Sequence, residues 1–122
     1  MNRTRMIAAA GLAALTTGVV ASSALAAPSA GGKLTASVSD PLNISLTQGG
    51  KKVTSLKAGT YTITVQDKAS DHNFHLTGAG LNKSTSVSGK GTFTWKVTFK
   101  KGTYKYVCDP HKSFMKGSIK VS

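Results

Sequence analysis

The sequence predicts an all-β protein, a Greek-key β-sandwich of seven to eight mostly antiparallel strands. Apolar residues alternate with polar ones at period two, which is typical of strands with one face in the core and the other in water. Turns containing glycine or proline separate these segments, and no apolar stripe of helical period appears. The alternating segments are residues 34–38, 42–46, 61–65, 93–99, 104–108 and 119–121.

The first residues of the chain predict export. Arg3 and Arg5 precede an apolar run over residues 6–20, and Ala24-Leu25-Ala26 offers a small-x-small cleavage site. This pattern is typical of a secretory signal peptide, here residues 1–26. The run is short and rich in Ala and Gly for a membrane span, although a retained anchor is the alternative. We expect the protein in the periplasm, or outside the cell and associated with its envelope.

Cleavage after Ala26 would leave a short flexible segment, residues 27–32, and one small domain, residues 33–122. This domain is basic, since fourteen lysines stand against four aspartates and no glutamate, for a net charge of +10. The charge favours an acidic partner protein or an anionic envelope surface, while a solubilising lysine coat explains it equally well. Export and the absence of arginine from the domain argue against nucleic acid. We expect a monomer.

The residues with the most distinctive chemistry lie near the C-terminus, where Cys108, His111 and Met115 have the spacing Cys-x2-His-x3-Met. Thiolate, imidazole and thioether together suit copper, and a His2Cys site with a weak axial Met is the arrangement of blue copper centres. Each of these residues alone is ordinary in a core or a turn. An unpaired Cys in an exported protein is open to oxidation, however, and metal ligation gives it a reason to be there.

A second imidazole has to come from elsewhere, because so short a loop can supply only three ligands. The remaining histidines are His72 and His75. Phe74 and Leu76 are expected to face the core, and alternation places His72 on their side of the strand and His75 on the other. The sequence therefore predicts that His72 completes the ligand set.

Two segments, residues 72–74 and residues 102–117, resemble those of the cupredoxins, the small type-1 copper proteins of the amicyanin and plastocyanin kind. The resemblance extends through the domain from about Leu34 to Val121. In one respect the chain differs from both kinds: the spacing from His111 to Met115 is one residue longer than in amicyanin and one shorter than in plastocyanin.

The resemblance implies a cupredoxin-like sandwich that holds one type-1 copper ion. It implies His72, Cys108 and His111 as equatorial ligands and Met115 as the axial one. It also implies that Asn73 ties the two ligand segments together by hydrogen bonds.

The resemblance further implies a small blue copper protein that carries single electrons between redox partners by Cu(I)/Cu(II) cycling, and not an enzyme. A multicopper oxidase would need a further cluster of histidines and a binuclear purple copper site a second cysteine, whereas the chain has three histidines and one cysteine. An extracytoplasmic copper carrier, storage or copper-sensing protein is the alternative, because Cu(I) transfer uses the same ligand chemistry.

The same resemblance implies that electrons leave through a partly exposed edge of His111. Phe114 and the turn at residues 78–81 are expected to form an apolar docking collar around it. Lys112 and Lys116 flank the ligand loop, and we expect them to attract the acidic partner.

Overall fold

The computed structural model describes residues 31–122 as two five-stranded sheets with one turn of 3-10 helix between the last two strands. The predicted all-β sandwich is confirmed. The predicted signal peptide and residues 27–30 lie outside the described residues. The strands are β1 (Lys33–Ser39), β2 (Asn43–Gln48), β3 (Lys51–Lys52), β4 (Ser55–Leu56), β5 (Gly59–Asp67), β6 (His75–Gly78), β7 (Leu81–Ser84), β8 (Gly91–Phe99), β9 (Gly102–Val107) and β10 (Lys116–Val121).

Both sheets are mixed. The first has the strand order β3-β2-β1-β5-β8 and the second the order β4-β10-β9-β6-β7. Neighbouring strands are antiparallel, apart from the parallel pairs of β1 with β5 and of β10 with β4. The described residues form ten strands where seven to eight were expected. The difference includes β3 and β4, which span two residues each and are too short to show alternation.

The core lies between the sheets and is filled by the inward residues of each strand. β1 and β5 lie side by side with Leu34 opposite Ile63, and both side chains are buried. From the other sheet, Tyr104 and Tyr106 of β9 and Ile119 of β10 are buried as well. Because burial of one large apolar side chain stabilises a fold by about 1.5–3 kcal/mol, this layer holds the strand ends in fixed positions.

Two residues of the alternating segments are exposed instead. Leu42 is 44% exposed and Phe93 is 41% exposed. Pairing of β2 begins at Asn43, so Leu42 belongs to the preceding turn. β8 is an edge strand of its sheet, where fewer neighbours cover a side chain such as Phe93.

One end of the sandwich gathers the segments that carry the predicted ligands. β1 and β5 end side by side, with Val38 opposite Asp67, and β9 ends where β6 begins, with Val107 opposite His75. We call this the ligand end; it comprises residues 40–42, 68–75 and 108–115. The opposite, or far, end holds the start of β1 and the turn between β6 and β7. Across residues 31–122, no helix has the length and apolar character needed to cross a membrane.

Candidate metal centre

The C-terminal ligand loop is closed by its own backbone. Cys108 follows the last residue of β9, and the 3-10 turn Asp109–His111 brings His111 back, with its N–H donating to the Cys108 carbonyl at 3.0 Å. The Met115 N–H donates to the His111 carbonyl at 2.8 Å, and the Cys108 N–H donates to the Met115 carbonyl at 3.0 Å. These bonds fix the three residues relative to one another before any metal binds.

His72 lies in the connection between β5 and β6 and is 1% exposed. As alternation predicts, Phe74 and Leu76 are also buried, while the side chain of His75 is 24% exposed. The strand itself starts only at His75, and Asn73 is buried too. His72 is therefore the inward histidine, as predicted. It lies before the start of the strand, however, where regular alternation no longer holds.

The structure brings His72, Cys108 and His111 around one point. The two Nδ1 atoms are 3.1 Å apart, and Cys108 Sγ lies 3.6 Å from each of them. The centre of a triangle with these sides is about 2.0 Å from every donor atom, which compares with metal–nitrogen bonds of about 2.0–2.1 Å and metal–sulfur bonds of about 2.3 Å in proteins. Two nitrogens and one sulfur thus fit a single first-row transition-metal ion.

The outer nitrogen of His72 faces hydrogen-bond acceptors. Nε2 lies 3.1 Å from the Pro41 carbonyl oxygen and 3.1 Å from a carboxylate oxygen of Asp40. Since both partners only accept, Nε2 carries the ring proton and Nδ1 presents its lone pair to the donor triangle. Metal-binding histidines almost always donate their second N–H in this way. Sequence reasoning missed both partners, which belong to a turn 31 residues earlier.

Met115 is fully buried at the end of the ligand loop. Its peptide group is hydrogen-bonded to both Cys108 and His111, so it lies beside the two loop donors. A buried thioether in that place fits the weak axial ligand of a type-1 site. Its role as that ligand stays a prediction.

Asn73 joins the two ligand segments, as the resemblance implied. Its backbone N–H donates to Cys108 Sγ at 3.4 Å. Its side chain accepts from the Asp109 N–H at 2.7 Å and donates to an Asp109 carboxylate oxygen at 2.7 Å. The amide also donates to the Thr85 carbonyl at 3.3 Å, which anchors it to the sandwich.

His75 faces away from the donor triangle and braces the loop from outside. Its Nδ1 lies 2.9 Å from an oxygen of Asp109 and its Nε2 lies 2.6 Å from Asn82 Oδ1, so both nitrogens donate hydrogen bonds when the ring is protonated. The hydrogen bond with Asp109 raises the pKa of His75 above its ordinary 6.5. Burial raises the pKa of Asp109, but the hydrogen bonds from His75 and Asn73 outweigh burial and bring that pKa below its ordinary 3.8.

All four carboxylates of the domain lie around this centre. Asp67 is buried beneath it and accepts from the Thr85 hydroxyl at 3.0 Å, while burial raises the pKa of Asp67. The Thr85 hydroxyl accepts in turn from the Phe74 N–H at 2.9 Å, next to the ligand segment. The other three carboxylates approach histidine nitrogens: Asp40, Asp71 and Asp109. The scarcity of acidic residues in the sequence was a signal that their positions merit attention.

The residues predicted for docking lie mostly at the ligand end. Phe114 is 76% exposed, Lys112 and Lys116 are exposed, and His111 is partly exposed, whereas Cys108 and Met115 at the two ends of the loop are buried. An apolar side chain and two cations therefore surround the most accessible of the donor residues.

The prediction that the turn at residues 78–81 joins the docking collar is wrong. A Cβ on Gly78 would lie 2.7 Å from the ring of Tyr104, near the start of β9 and four residues before Cys108. That turn therefore lies at the far end of the sandwich. Leu42 is a second exposed apolar residue at the ligand end, in addition to Phe114, and it follows the Pro41 carbonyl that contacts His72.

The donor set and the sandwich agree with a known family. A sequence model of copper-binding proteins of the plastocyanin/azurin family matches residues 43–122. The chain belongs to this family, the cupredoxins. Copper is accordingly the cofactor, and His72, Cys108 and His111 form a cupredoxin-like ligand group with Met115 nearby. The predicted family, fold and metal are confirmed.

Solved structures of rusticyanin share the fold. Rusticyanin from Thiobacillus ferrooxidans is 21% identical with a TM-score of 0.55, over 77% of this cupredoxin and 79% of that chain. A crystal structure of a rusticyanin variant is also 21% identical, with a TM-score of 0.59 over 77% and 80% of the two chains. Reduced rusticyanin is 24% identical with a TM-score of 0.52, over 77% and 81%. Comparison with curated protein sequences gives no match.

Proposed function

We propose that this cupredoxin is an exported blue copper protein that carries single electrons between redox partners. The observation that carries the proposal is the donor triangle of two imidazole nitrogens and one thiol sulfur, with sides of 3.1 and 3.6 Å. His72, Cys108 and His111 would hold the metal, with Met115 as a weak fourth ligand. Copper, when bound there, supplies a one-electron couple between Cu(I) and Cu(II).

The surroundings of the donors support rapid electron transfer. The backbone bonds within the ligand loop and the bonds of Asn73 hold the donors in one geometry. A site that does not rearrange between oxidation states loses little energy when an electron enters or leaves. Cys108 and His72 are at most 1% exposed, whereas His111 is partly exposed. One accessible imidazole edge suits electron exit better than binding of a substrate at the metal, which supports a carrier rather than an enzyme.

An acidic partner is the second part of the proposal. Among residues 31–122, no lysine forms an ion pair with an aspartate. The close charge contacts of the aspartates in this part of the chain are with histidines. The lysine charges therefore remain available for a partner. A groove that begins at Lys116, next to Met115, has four lysines and no carboxylate in its lining: Lys52, Lys105, Lys116 and Lys120. Phe114 adds an exposed apolar contact at the same end.

Export is the third part and rests on the sequence of residues 1–26, with its basic start, apolar run and cleavage site. We infer that the protein works in the periplasm, or outside the cell and associated with its envelope. The buried, unpaired thiol of Cys108 agrees with this, since a metal ligand is protected in an oxidising compartment.

The test is the visible spectrum of the purified exported protein after addition of one equivalent of Cu(II). We expect an intense visible band from the copper–thiolate bond, and its complete loss in Cys108→Ala while circular dichroism shows an intact sandwich. Retention of the band in Cys108→Ala would refute the ligand assignment. A wild-type protein that binds only Cu(I) and stays colourless would favour the copper carrier.

A further inference from the structure

His72 has a second set of neighbours on its outer side. Nε2 lies 3.1 Å from an oxygen of Asp40, 3.1 Å from the Pro41 carbonyl oxygen and 3.8 Å from an oxygen of Asp71. All three are acceptors, and two of them carry negative charge. The first two are within hydrogen-bond distance, whereas 3.8 Å is beyond it. The ring of His72 therefore stands between the donor triangle and an anionic turn.

We propose that Asp40 is a positioning residue that acts through His72 to favour the oxidised state of the metal centre. The inference rests on the proposed function, because it concerns the same copper site. The hydrogen bond of Nε2 goes to the Pro41 carbonyl, and the Asp40 carboxylate lies equally near as an ion-pair contact. A carboxylate beside the outer N–H of a ligating imidazole makes the inner nitrogen a stronger donor. The negative charge also stabilises the state with the greater positive charge, which is Cu(II).

The Pro41 carbonyl alone does not account for this effect. A neutral carbonyl at 3.1 Å is sufficient to fix the tautomer and the ring orientation of His72. Asp40 adds a full negative charge 3.1 Å from the same nitrogen, which orientation of the ring does not require. Its backbone is held by Asn43, whose side-chain amide donates to the Asp40 carbonyl at 2.9 Å, so the carboxylate starts from a fixed turn.

Exposure reduces the effect but does not remove it. The Asp40 side chain is 71% exposed, so water screens its charge, whereas its partner His72 is 1% exposed. The field of the carboxylate therefore reaches the metal through a buried ring rather than through solvent. Asp71 is similarly exposed, at 65%, and differs chiefly in its longer distance to the nitrogen. It provides a matched control for the loss of one negative charge at this place.

The experiment compares the reduction potentials of the copper-loaded wild type, Asp40→Asn and Asp71→Asn. Asparagine keeps the size of the side chain and removes its charge, and both positions are exposed enough for the variants to fold. At a fixed ambient potential we expect the ratio of Cu(I) to Cu(II) to rise about tenfold in Asp40→Asn, which is about 59 mV for a one-electron couple. For Asp71→Asn we expect less than half of that shift in millivolts.

Metal affinities separate an electronic role from a structural one. We expect Asp40→Asn to weaken Cu(II) binding by about the same tenfold factor and to leave Cu(I) binding nearly unchanged. A structural role would weaken both equally, and that result would overturn the proposal. Nitrogen NMR of the metal-free proteins should show the Nε2–H tautomer of His72 in both the wild type and Asp40→Asn. The Nε2 resonance should be shifted in Asp40→Asn.

Other results would also overturn the proposal. An unchanged potential in Asp40→Asn, or equal shifts in both variants, would mean that Asp40 acts only as one of several surface charges. Failure of the wild type to develop a copper–thiolate band would instead refute the proposed function itself. The two failures are distinguishable, since the first is measured on a protein that has already shown its blue copper site.

Discussion

The ligand end and the strand surfaces of this cupredoxin differ in the sign and in the use of their charges. At the ligand end the aspartates bond to histidines, to Asn73 and to Thr85. On the strand surfaces the charged residues are lysines, and in the described part of the chain none of them pairs with an aspartate. The aspartates of the ligand end therefore contact neighbouring side chains, whereas the lysines of the strand surfaces face solvent.

The difference suits the aspartates and the lysines to two separate tasks. Carboxylates close to the metal tune the site and hold its histidines, but on a docking face they would repel an acidic partner. The proposed acidic partner would be attracted by lysines, of which Lys112 and Lys116 flank the ligand loop and most others lie on or between the strands. The predictions below change one region at a time and ask whether the other responds.

The largest expected effect concerns the two histidines of the ligand end. His72→Ala should abolish the visible copper band, because it removes a corner of the donor triangle. His75→Ala should keep the band, since its nitrogens bond to Asp109 and Asn82 instead. Visible absorption of both variants with one equivalent of Cu(II) is the measurement. Loss of the band in His75→Ala with retention in His72→Ala would reverse the assignment.

These histidines also show what the sequence could and could not predict. The Cys-x2-His-x3-Met spacing is local, and period-two alternation reports strand faces directly, so the sandwich and the loop were predictable. His72 was also predicted correctly, although it precedes the strand and alternation does not extend to it. The contact of His72 with Asp40 depends on how two connections cross at one end of the sandwich, across 32 positions of sequence. The turn at residues 78–81 was misplaced for the same reason, because its position follows from the pairing of β6 with β9.

The next effect concerns two lysines that flank the ligand loop and compares them with two lysines at the far end. Changing Lys112 and Lys116 to Glu should slow association with an acidic redox partner by about tenfold or more at low salt. The control changes Lys33 and Lys51, which lie at the far end, to Glu with the same change in net charge. Stopped-flow electron transfer over a salt series is the measurement. The rates should converge as salt shortens the Debye length to about 8 Å or less.

Equal slowing by both lysine pairs, or a rate that does not depend on salt, would contradict a docking role at the ligand end. The lysines would then act only as a solubilising coat, and they would not guide a partner to the ligand end.

Met115 should show a smaller effect that is confined to the ligand end. Met115→Leu nearly conserves volume, so we expect stability to fall by less than about 1.5 kcal/mol and copper binding to persist. Loss of the weak axial thioether should nevertheless change the reduction potential. Voltammetry together with urea unfolding separates the two properties. An unchanged potential would mean that the buried Met115 is core packing and not a ligand.

The smallest effect is a pH dependence that arises from the brace between His75 and Asp109. Because the folded-state pKa of His75 is raised above 6.5, the stability that this pair contributes is fully present below about pH 6.5. It is lost as pH rises through the raised pKa. Because the folded-state pKa of Asp109 is lowered from 3.8, the contribution is also lost under strongly acidic conditions.

His75→Gln should therefore be less stable than the wild type by under about 1 kcal/mol near pH 5, and by less near pH 9. Urea unfolding of the metal-free proteins at both pH values measures the difference, which should shrink with rising pH. A difference that grew with pH would show that the neutral form of His75 braces the loop, contrary to the two acceptors that its nitrogens face.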